Sequence, residues 1–299
     1  MRTGLKITAF AAGVAATFGT AYGVGSGVGP VTAQERPARA HGDEGGHGGH
    51  EEGTGTDAAT GATAASTTPG GLQVSERGYT LDLARDRLPG RTGEIRFTIR
   101  KDATGKPVTA YTKEHGKELH LIVASRDLTA YRHLHPVRAA DGTWSTPVSL
   151  PKAGDYRVFA DFTPRGEKEG LTLGAGLGVA GTYAPAPLPE HADTAKVADG
   201  YEVKVDGELR AGAASALTLS VSKDGRPVTD LEPYLGAYGH LVALRSGDLA
   251  YLHVHPHDGR PGPEVSFTAT APSTGTYRLF LDFKHDGEVR TAAFTVHAA

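Results

Sequence analysis

The chain has 299 residues, with 31 Lys plus Arg against 34 Asp plus Glu and a formal net charge of −3. This balance excludes the clustered basic surface that nucleic-acid binding needs, so no nucleic-acid partner is expected. The chain has no cysteine, and its one methionine is Met1, which excludes disulfides, thiolate metal sites and thiol nucleophiles. Any metal site must therefore use histidine and carboxylate, which suit Cu(II), zinc or Ni(II).

Residues 1–33 have the pattern of a targeting segment. Arg2 and Lys6 precede an uncharged run over residues 7–31, and residues 31–33 fit the small-x-small rule for signal-peptidase cleavage. At about 25 residues, the run is also long enough to span a bilayer of roughly 30 Å as an anchor helix. A cleaved signal and an uncleaved anchor in the cytoplasmic membrane both remain open. In either case the rest of the chain is expected outside the cytoplasm, secreted or membrane-anchored.

Residues 34–72 are rich in glycine, histidine, threonine and acidic residues and have almost no large apolar side chain. Such a segment cannot bury enough surface to offset its chain entropy, so we predict a disordered spacer. His41, His47 and His50 lie among acidic residues here, and weak metal capture is a modest additional hypothesis.

The remaining chain contains an internal repeat, with a first copy at 73–183, a Pro-rich linker at 184–198 and a second copy at 199–299. Short segments of alternating polarity lie between Gly, Pro and Asp clusters, and none has a sustained helical period. This pattern is typical of an all-β sandwich. GDYRVFADF in the first copy is matched by GTYRLFLDF in the second, at an offset of about 120 residues, too long for a solenoid. The sequence therefore predicts two tandem β-sandwiches.

A histidine pattern recurs in both copies, as HLIVASRDLTAYRHLHP and HLVALRSGDLAYLHVHP. A hairpin centred between Arg126 and Asp127 would place His120 directly opposite His133, with Cβ atoms about 5 Å apart. His135 lies two residues further and so points to the same face. Three imidazoles on one face satisfy a metal site that keeps an open coordination position.

The same arithmetic applies to the second copy, where the hairpin centre falls between Ser246 and Gly247. His240 then faces His253, and His255 joins them. The alternative is that the histidines of both copies only pack as a polar ladder. Because side chains alternate between faces, a register slip of one residue would dissolve either site.

Two aspartates are weaker candidates. Asp161 and Asp282 lie in FADF and FLDF, and each is either a fourth ligand or an acceptor that orients an imidazole. The alternative is an exposed carboxylate paired with Arg157 or Arg278.

Other residues receive less weight. His257 and His115 have no counterpart in the other copy, Tyr131 and Tyr251 are expected to pack, and Trp144 is expected in the core. Surface positions are predicted for His191, His285 and His297. No hydrolase, metalloprotease, P-loop or dinucleotide-binding signature is present, so we expect a protein that is not an enzyme.

The string H-L-I-V…D-L…Y-x-H-L-H-P…G-x-Y-R-x-F-x-D-F resembles exported bacterial proteins of a YtkA-like, CopC-like, heavy-metal-associated type. The resemblance implies immunoglobulin-like sandwiches that bind copper or another divalent metal. Asp248 is out of step by one with Asp127, and the mature N-terminal histidine of CopC-type proteins is not visible. The matching positions are His120, Asp127, Tyr131, His133, His135, Pro136, Tyr156, Phe159, Asp161 and Phe162, with His240, Tyr251, His253, His255, Pro256, Tyr277, Phe280, Asp282 and Phe283 in the second copy.

Two functions follow as hypotheses. The favoured one is an exported protein that buffers or delivers Cu(II) or zinc through a histidine face on each sandwich. The alternative is a structural, adhesive or protein-interaction module of the cell envelope, in which the histidines only pack. Its expected partners are a metal ion, the cytoplasmic membrane and an unidentified envelope protein.

Overall fold

A computed structural model describes residues 68–252, 254–257 and 259–299, with His255 described by its backbone alone. The targeting segment, most of the predicted spacer and His253 lie outside the described residues. The described residues belong to one compact unit and form strands and turns. No helix among them is long and apolar enough to cross a membrane.

The first sandwich is built from strands within residues 75–179. Their bounds are β1 (Ser75–Glu76), β2 (Tyr79–Leu83), β3 (Arg87–Leu88), β4 (Thr92–Lys101), β5 (Lys106–Pro107), β6 (Tyr111–Thr112), β7 (Leu119–Ser125), β8 (Tyr131–Leu134), β9 (Val137–Arg138), β10 (Trp144–Ser149), β11 (Gly154–Pro164) and β12 (Leu171–Val179). One sheet has the order β1-β2-β4-β10-β9 with β5 beside β4. The other has the order β3-β12-β11-β7-β8 with β6 beside β11.

The second sandwich is built from strands within residues 194–298. Their bounds are β13 (Thr194–Val197), β14 (Tyr201–Asp206), β15 (Ala214–Lys223), β16 (Arg226–Pro227), β17 (Gly239–Arg245), β18 (Tyr251–Leu252), β19 (Val254–Pro256), β20 (Glu264–Thr270), β21 (Gly275–His285) and β22 (Glu288–Ala298). Its sheets have the orders β13-β14-β15-β20-β19, with β16 beside β15, and β18-β17-β21-β22. Strand β13 occupies the end of the segment predicted as a linker.

The strand orders follow the immunoglobulin arrangement of an ABED sheet packed on a C′CFG sheet. In the first sandwich these are β2-β4-β10-β9 and β8-β7-β11-β12, and in the second β14-β15-β20-β19 and β18-β17-β21-β22. Strand β3 pairs with β12 in the parallel sense. The prediction of all-β sandwiches is confirmed for the described residues.

Burial along the strands explains how the layers form. Strand β14 alternates strictly between buried and exposed positions, as expected for a sheet with one solvated face. Strands β7 and β17 are instead buried on almost every residue. One side of β7 contributes Leu121 and Val123 to the core of the first sandwich, where Trp144 also lies as predicted. The other side of β7 must therefore be covered by something else.

That cover is the other sandwich. A shared apolar cluster joins Ile122 and Phe159 of the first sandwich to Val242 and Phe280 of the second. The contact is reciprocal: Tyr131 Oη donates to Asp282 Oδ2 (3.3 Å), and the equivalent Tyr251 Oη donates to Asp161 Oδ2 (3.4 Å). Equivalent residues meeting in both directions are the mark of a two-fold, isologous contact. The two C′CFG sheets thus dock face to face like the subunits of a dimer.

The end of the predicted spacer joins this contact. The backbone amide of Tyr251 donates to Gly70 O (2.9 Å), and the amide of Gly71 donates to Thr172 O (2.7 Å). Residues 70 and 71 are therefore tied to both sandwiches rather than forming a spacer.

Candidate functional site

The hairpin of the first sandwich differs in register from the prediction. Strands β7 and β8 pair Ile122 with His133 and Leu121 with Leu134, so His133 does not face His120 directly. The turn is centred between Asp127 and Leu128, which moves the pairing by two residues. Because two residues is a full side-chain period, the histidines stay on the predicted face.

The turn itself accounts for the shift. Leu128 adopts φ 56°, a left-handed conformation that costs a leucine free energy, and its side chain is buried in the apolar cluster between the sandwiches. Asp127 Oδ1 accepts from Ser125 Oγ (2.6 Å) and from the amide of Thr129 (3.3 Å). Burial of Leu128 and these hydrogen bonds offset the backbone strain, and a tight two-residue turn would provide neither.

The second hairpin shows the same shift and a further departure. Strands β17 and β18 pair Ala243 with Leu252, again two residues from the prediction. The chain then leaves this sheet, and β19 pairs with β20 in the other sheet, where the backbone of His255 lies opposite Thr268. The prediction that His255 shares one hairpin face with His240 is therefore wrong. His253 lies outside the described residues.

The three histidines of the first sandwich do come together. His120 Nδ1 lies 3.0 Å from His133 Nε2. One ring nitrogen from each of His120, His133 and His135 lies within 4.8 Å of the other two, and this is the one such group found in the part of the chain that the structure describes. The ring centroids of His133 and His135 are 4.8 Å apart.

A tight turn fixes the ring of His120. Glu114 and Lys117 exchange both backbone hydrogen bonds, and His120 Nε2 lies 3.2 Å from Glu114 O. In the second sandwich the equivalent turn pairs Tyr234 with Ala237, and His240 Nε2 lies 2.7 Å from Tyr234 O. A carbonyl oxygen only accepts, so each neutral imidazole carries its proton on Nε2 and presents a bare Nδ1.

Asp282 fixes the ring of His133 from across the interface. It is 3 % exposed, and its Oδ2 lies 2.9 Å from His133 Nδ1. Its Oδ1 accepts from Thr291 Oγ1 (2.5 Å). Of the two roles expected for Asp282, the structure matches the acceptor that orients an imidazole, although the imidazole belongs to the other sandwich. Pairing with Arg278 is wrong, since Arg278 donates to Thr295 Oγ1.

Asp161 occupies the corresponding position in the first sandwich. It accepts from Tyr251 Oη across the interface and from Thr172 Oγ1 (3.1 Å). Arg157 donates to backbone carbonyls of Gly71 and Gly174 instead of forming the ion pair considered above.

One ring nitrogen of His135 has a polar contact and the other has no hydrogen-bond partner among the described residues. Its Nδ1 lies 3.5 Å from Tyr234 Oη. Its Nε2 is buried and has no hydrogen-bond partner among the described residues. Buried polar atoms are nearly always paired, so this nitrogen is an exception within the described residues.

The environment keeps the imidazoles of His120, His135 and His240 neutral. Burial, and then the neighbouring imidazoles, lower the pKa of His120 and His135 to about 3. Burial also lowers the pKa of His240 to about 4, although the hydrogen bond that His240 Nε2 donates to Tyr234 O acts to raise it. At pH 7 their unprotonated nitrogens therefore remain available as lone-pair donors.

Sequence reasoning missed or misplaced several neighbours of the cluster. The exposed His115 sits in the Glu114–Lys117 turn, its ring centroid 5.2 Å from that of His240. Tyr234 had no signal in the sequence. His257, given low weight, is exposed and bonds Thr268 Oγ1 (2.7 Å) through Nε2.

The surface prediction for His285 is wrong. His285 is buried, with Nδ1 2.6 Å from Tyr201 Oη and Nε2 3.1 Å from Asp230 Oδ1. His191 and His297 are exposed as predicted.

A cavity of about 650 Å³ borders the cluster, lined by residues that include Glu114, His115, His120, His133, Asp161 and His240.

Solved structures that match the chain include those of two bacterial adhesins and of intimin. The Escherichia coli adhesin FdeC matches with 14 % identity and a TM-score of 0.23, over 75 % of this chain and 65 % of that one. The Yersinia pseudotuberculosis adhesin InvE matches with 14 % identity and a TM-score of 0.25, over 75 % and 60 %. The D0–D1 domain of intimin matches with 14 % identity and a TM-score of 0.23, over 73 % and 96 %. The chain spans less than two thirds of the first two.

The favoured functional hypothesis, buffering or delivery of copper or zinc from a histidine face on each sandwich, is wrong. Within the described ranges the histidine nitrogens converge once, between the sandwiches, rather than on a free face of each.

No curated protein matches the chain. A family model of unassigned function matches residues 73–173 and 195–299, which are the two sandwiches. The resemblance to heavy-metal-associated proteins stays a prediction, because that model carries no function. The chain belongs to the family described as "Domain of unknown function (DUF8832)".

Proposed function

We propose that the chain is a non-enzymatic structural or protein-interaction module of the cell envelope, in which two immunoglobulin-like sandwiches act as one rigid body. The observation that carries this proposal is the reciprocal docking of the C′CFG sheets. Ile122 and Phe159 are 0 % exposed, and Val242 and Phe280 are 3 % exposed, although each points away from the core of its own sandwich.

Rigidity follows from this burial. Tandem domains joined by a linker alone are expected to move relative to one another unless their interface is large and apolar. Here the stacked rings of Tyr131 and Phe280, with centroids 4.2 Å apart, lie inside the contact, and Tyr–Asp hydrogen bonds close it from both directions. A rigid pair presents its outer sheets in a fixed relation, which suits a stalk or a binding platform.

Placement in the envelope is supported by the sequence. The N-terminal segment has the charge and hydrophobicity pattern of an export signal or anchor. The outward side of β14 carries Glu202, Lys204 and Asp206, all exposed, as expected for a sheet that faces water.

The absence of cysteine from the chain makes a direct test possible. We would introduce Arg96→Cys and Glu202→Cys, at exposed positions on the two outer sheets, and attach spin labels. A single narrow inter-label distance is expected for a rigid pair. A broad distribution would contradict it, and Phe280→Ala should broaden the distribution as a positive control.

The same cysteines test the location. A membrane-impermeant maleimide added to intact cells should label them without lysis. Labelling that requires lysis would place the module inside the cell and overturn the envelope assignment.

A further inference from the structure

The hydrogen bonds of the histidine cluster do not balance among the protein atoms that the structure describes. His120 Nε2–H donates a hydrogen bond to Glu114 O, and His133 Nδ1–H donates one to the Asp282 carboxylate. In neutral rings the facing atoms, His120 Nδ1 and His133 Nε2, are then both acceptors, yet they lie 3.0 Å apart. Two lone pairs at this distance repel unless a cation lies between them.

The third histidine adds another unpaired atom. His135 Nε2 is buried without a hydrogen-bond partner in the described part of the chain, while its Nδ1 contacts Tyr234 Oη. Nitrogens of all three rings lie within 4.8 Å of one another. The orphaned atom and the facing pair are separate observations. When His135 Nδ1 carries the proton and donates to Tyr234 Oη, Nε2 is a third unprotonated nitrogen in the cluster.

A proton explains only part of this arrangement. A second proton on His133 would turn the His120–His133 contact into a hydrogen bond, with the positive charge balanced by Asp282. His135 Nε2 would still be buried and unpaired.

We propose that His120, His133 and His135 bind one divalent transition-metal ion of the zinc class, which locks the two sandwiches together. The ligand set is three neutral imidazoles, which suits zinc or Cu(II). Tetrahedral zinc with bonds of about 2.0 Å needs ligand nitrogens ~3.3 Å apart, so small ring rotations bring this cluster into range. The adjacent cavity, which His120 and His133 line, has room for a water ligand.

The ion acts across the interface because its supports come from both sandwiches. Asp282 of the second sandwich orients His133, and Tyr234 of the second sandwich contacts His135. A carboxylate behind a ligating histidine is the common arrangement in metal sites. The ion is a structural component enclosed by the module, not a cargo, and its binding does not depend on whether the module recognises an outside partner.

The test uses the full chain in a background with His41→Gln, His47→Gln and His50→Gln, so that these histidines contribute no binding. Co²⁺ is titrated as a spectroscopic probe, followed by Zn²⁺. We expect one equivalent bound, visible absorption bands of tetrahedral Co²⁺, and their loss as Zn²⁺ displaces it. His135→Gln should abolish binding, whereas His297→Gln, at an exposed position in the second sandwich, should leave it unchanged.

Two further measurements separate metal binding from folding. Zn²⁺ should raise the Tm of the background protein but not of H135Q, whose circular dichroism should remain that of a folded β protein. Asp282→Asn should weaken Zn²⁺ affinity by about 10- to 100-fold. No stoichiometric binding in the background protein, or equal binding by H135Q, overturns the proposal. Neither result would affect the rigid-body test.

Discussion

The two repeats contain nearly the same histidine string but do different things with it. In the first, β8 runs for four residues to Leu134, and the crossing strand β9 begins at Val137. In the second, β18 ends after two residues at Leu252, and β19 begins at Val254 in the opposite sheet. The first repeat therefore keeps its third histidine in the interface, whereas the backbone of the third histidine of the second repeat joins the other sheet.

The two repeats therefore share the strand order of the sandwich but not the position of the third histidine. Val254 pairs with Ala269 of β20 and packs against the core of the second sandwich. These contacts draw the chain into the sheet of β20 sooner after the hairpin than in the first repeat. Where a strand leaves one sheet for another is decided by such competing contacts. Histidine spacing alone does not reveal it.

Among the changes that test this comparison, removal of an aromatic ring from the interface should lower the stability most. Phe280→Ala removes a buried ring stacked on Tyr131 and should lower the free energy of unfolding by about 3–5 kcal/mol. Phe159→Ala, the equivalent change in the first repeat, should cost a similar amount. Urea denaturation measures both, and losses below about 1 kcal/mol for both would mean that the sheets are not docked in solution.

Substitution of the two equivalent aspartates should destabilise the protein by different amounts. Asp282→Asn weakens the acceptor of His133, Tyr131 and Thr291, and should cost about 2–3 kcal/mol. Asp161→Asn, in a half-buried residue, should cost about 1 kcal/mol. Equal losses in thermal or urea unfolding would contradict the asymmetry of the site.

Acid should weaken the fold through the cluster. His120, His135 and His240 have folded pKa values of about 3, 3 and 4, below the usual 6.5, so the unfolded chain binds more protons between these limits. Their contribution to stability is complete above about pH 6.5 and is lost as pH falls towards 3, by at most about 3 kcal/mol for each histidine between pH 7 and pH 4. Urea midpoints across this range measure it. The slope should flatten in His120→Gln, and an unchanged slope would assign it to other groups.

The smallest effect is expected where the turns differ. His115→Leu installs the residue found at the equivalent position, Leu235, and both positions have left-handed φ angles, 49° and 53°. Because His115 is exposed and is not one of the three converging ligands, stability should change by no more than about 0.5 kcal/mol. A larger loss would make His115 part of the cluster.

The sequence was sufficient for the sandwiches and for the shared face of three histidines. Alternation along strands such as β14 is local, and a register error of two residues preserves the side of the sheet on which His120, His133 and His135 lie. Contacts between the two sandwiches could not be predicted from the sequence. Nothing near Asp282 indicates that its partner is His133, 149 positions away. His285 likewise is buried by Tyr201, which no local pattern reveals.

Because the contact between the repeats is reciprocal, one chain contains the equivalent of a dimer whose two subunits are covalently linked. Isologous surfaces do not distinguish a partner within the chain from the same surface on a second molecule. Only the connecting segment favours the internal partner, by holding it at an effective concentration of about millimolar. Shortening that segment should convert the closed molecule into chains that exchange halves, and a single repeat produced alone should pair with itself.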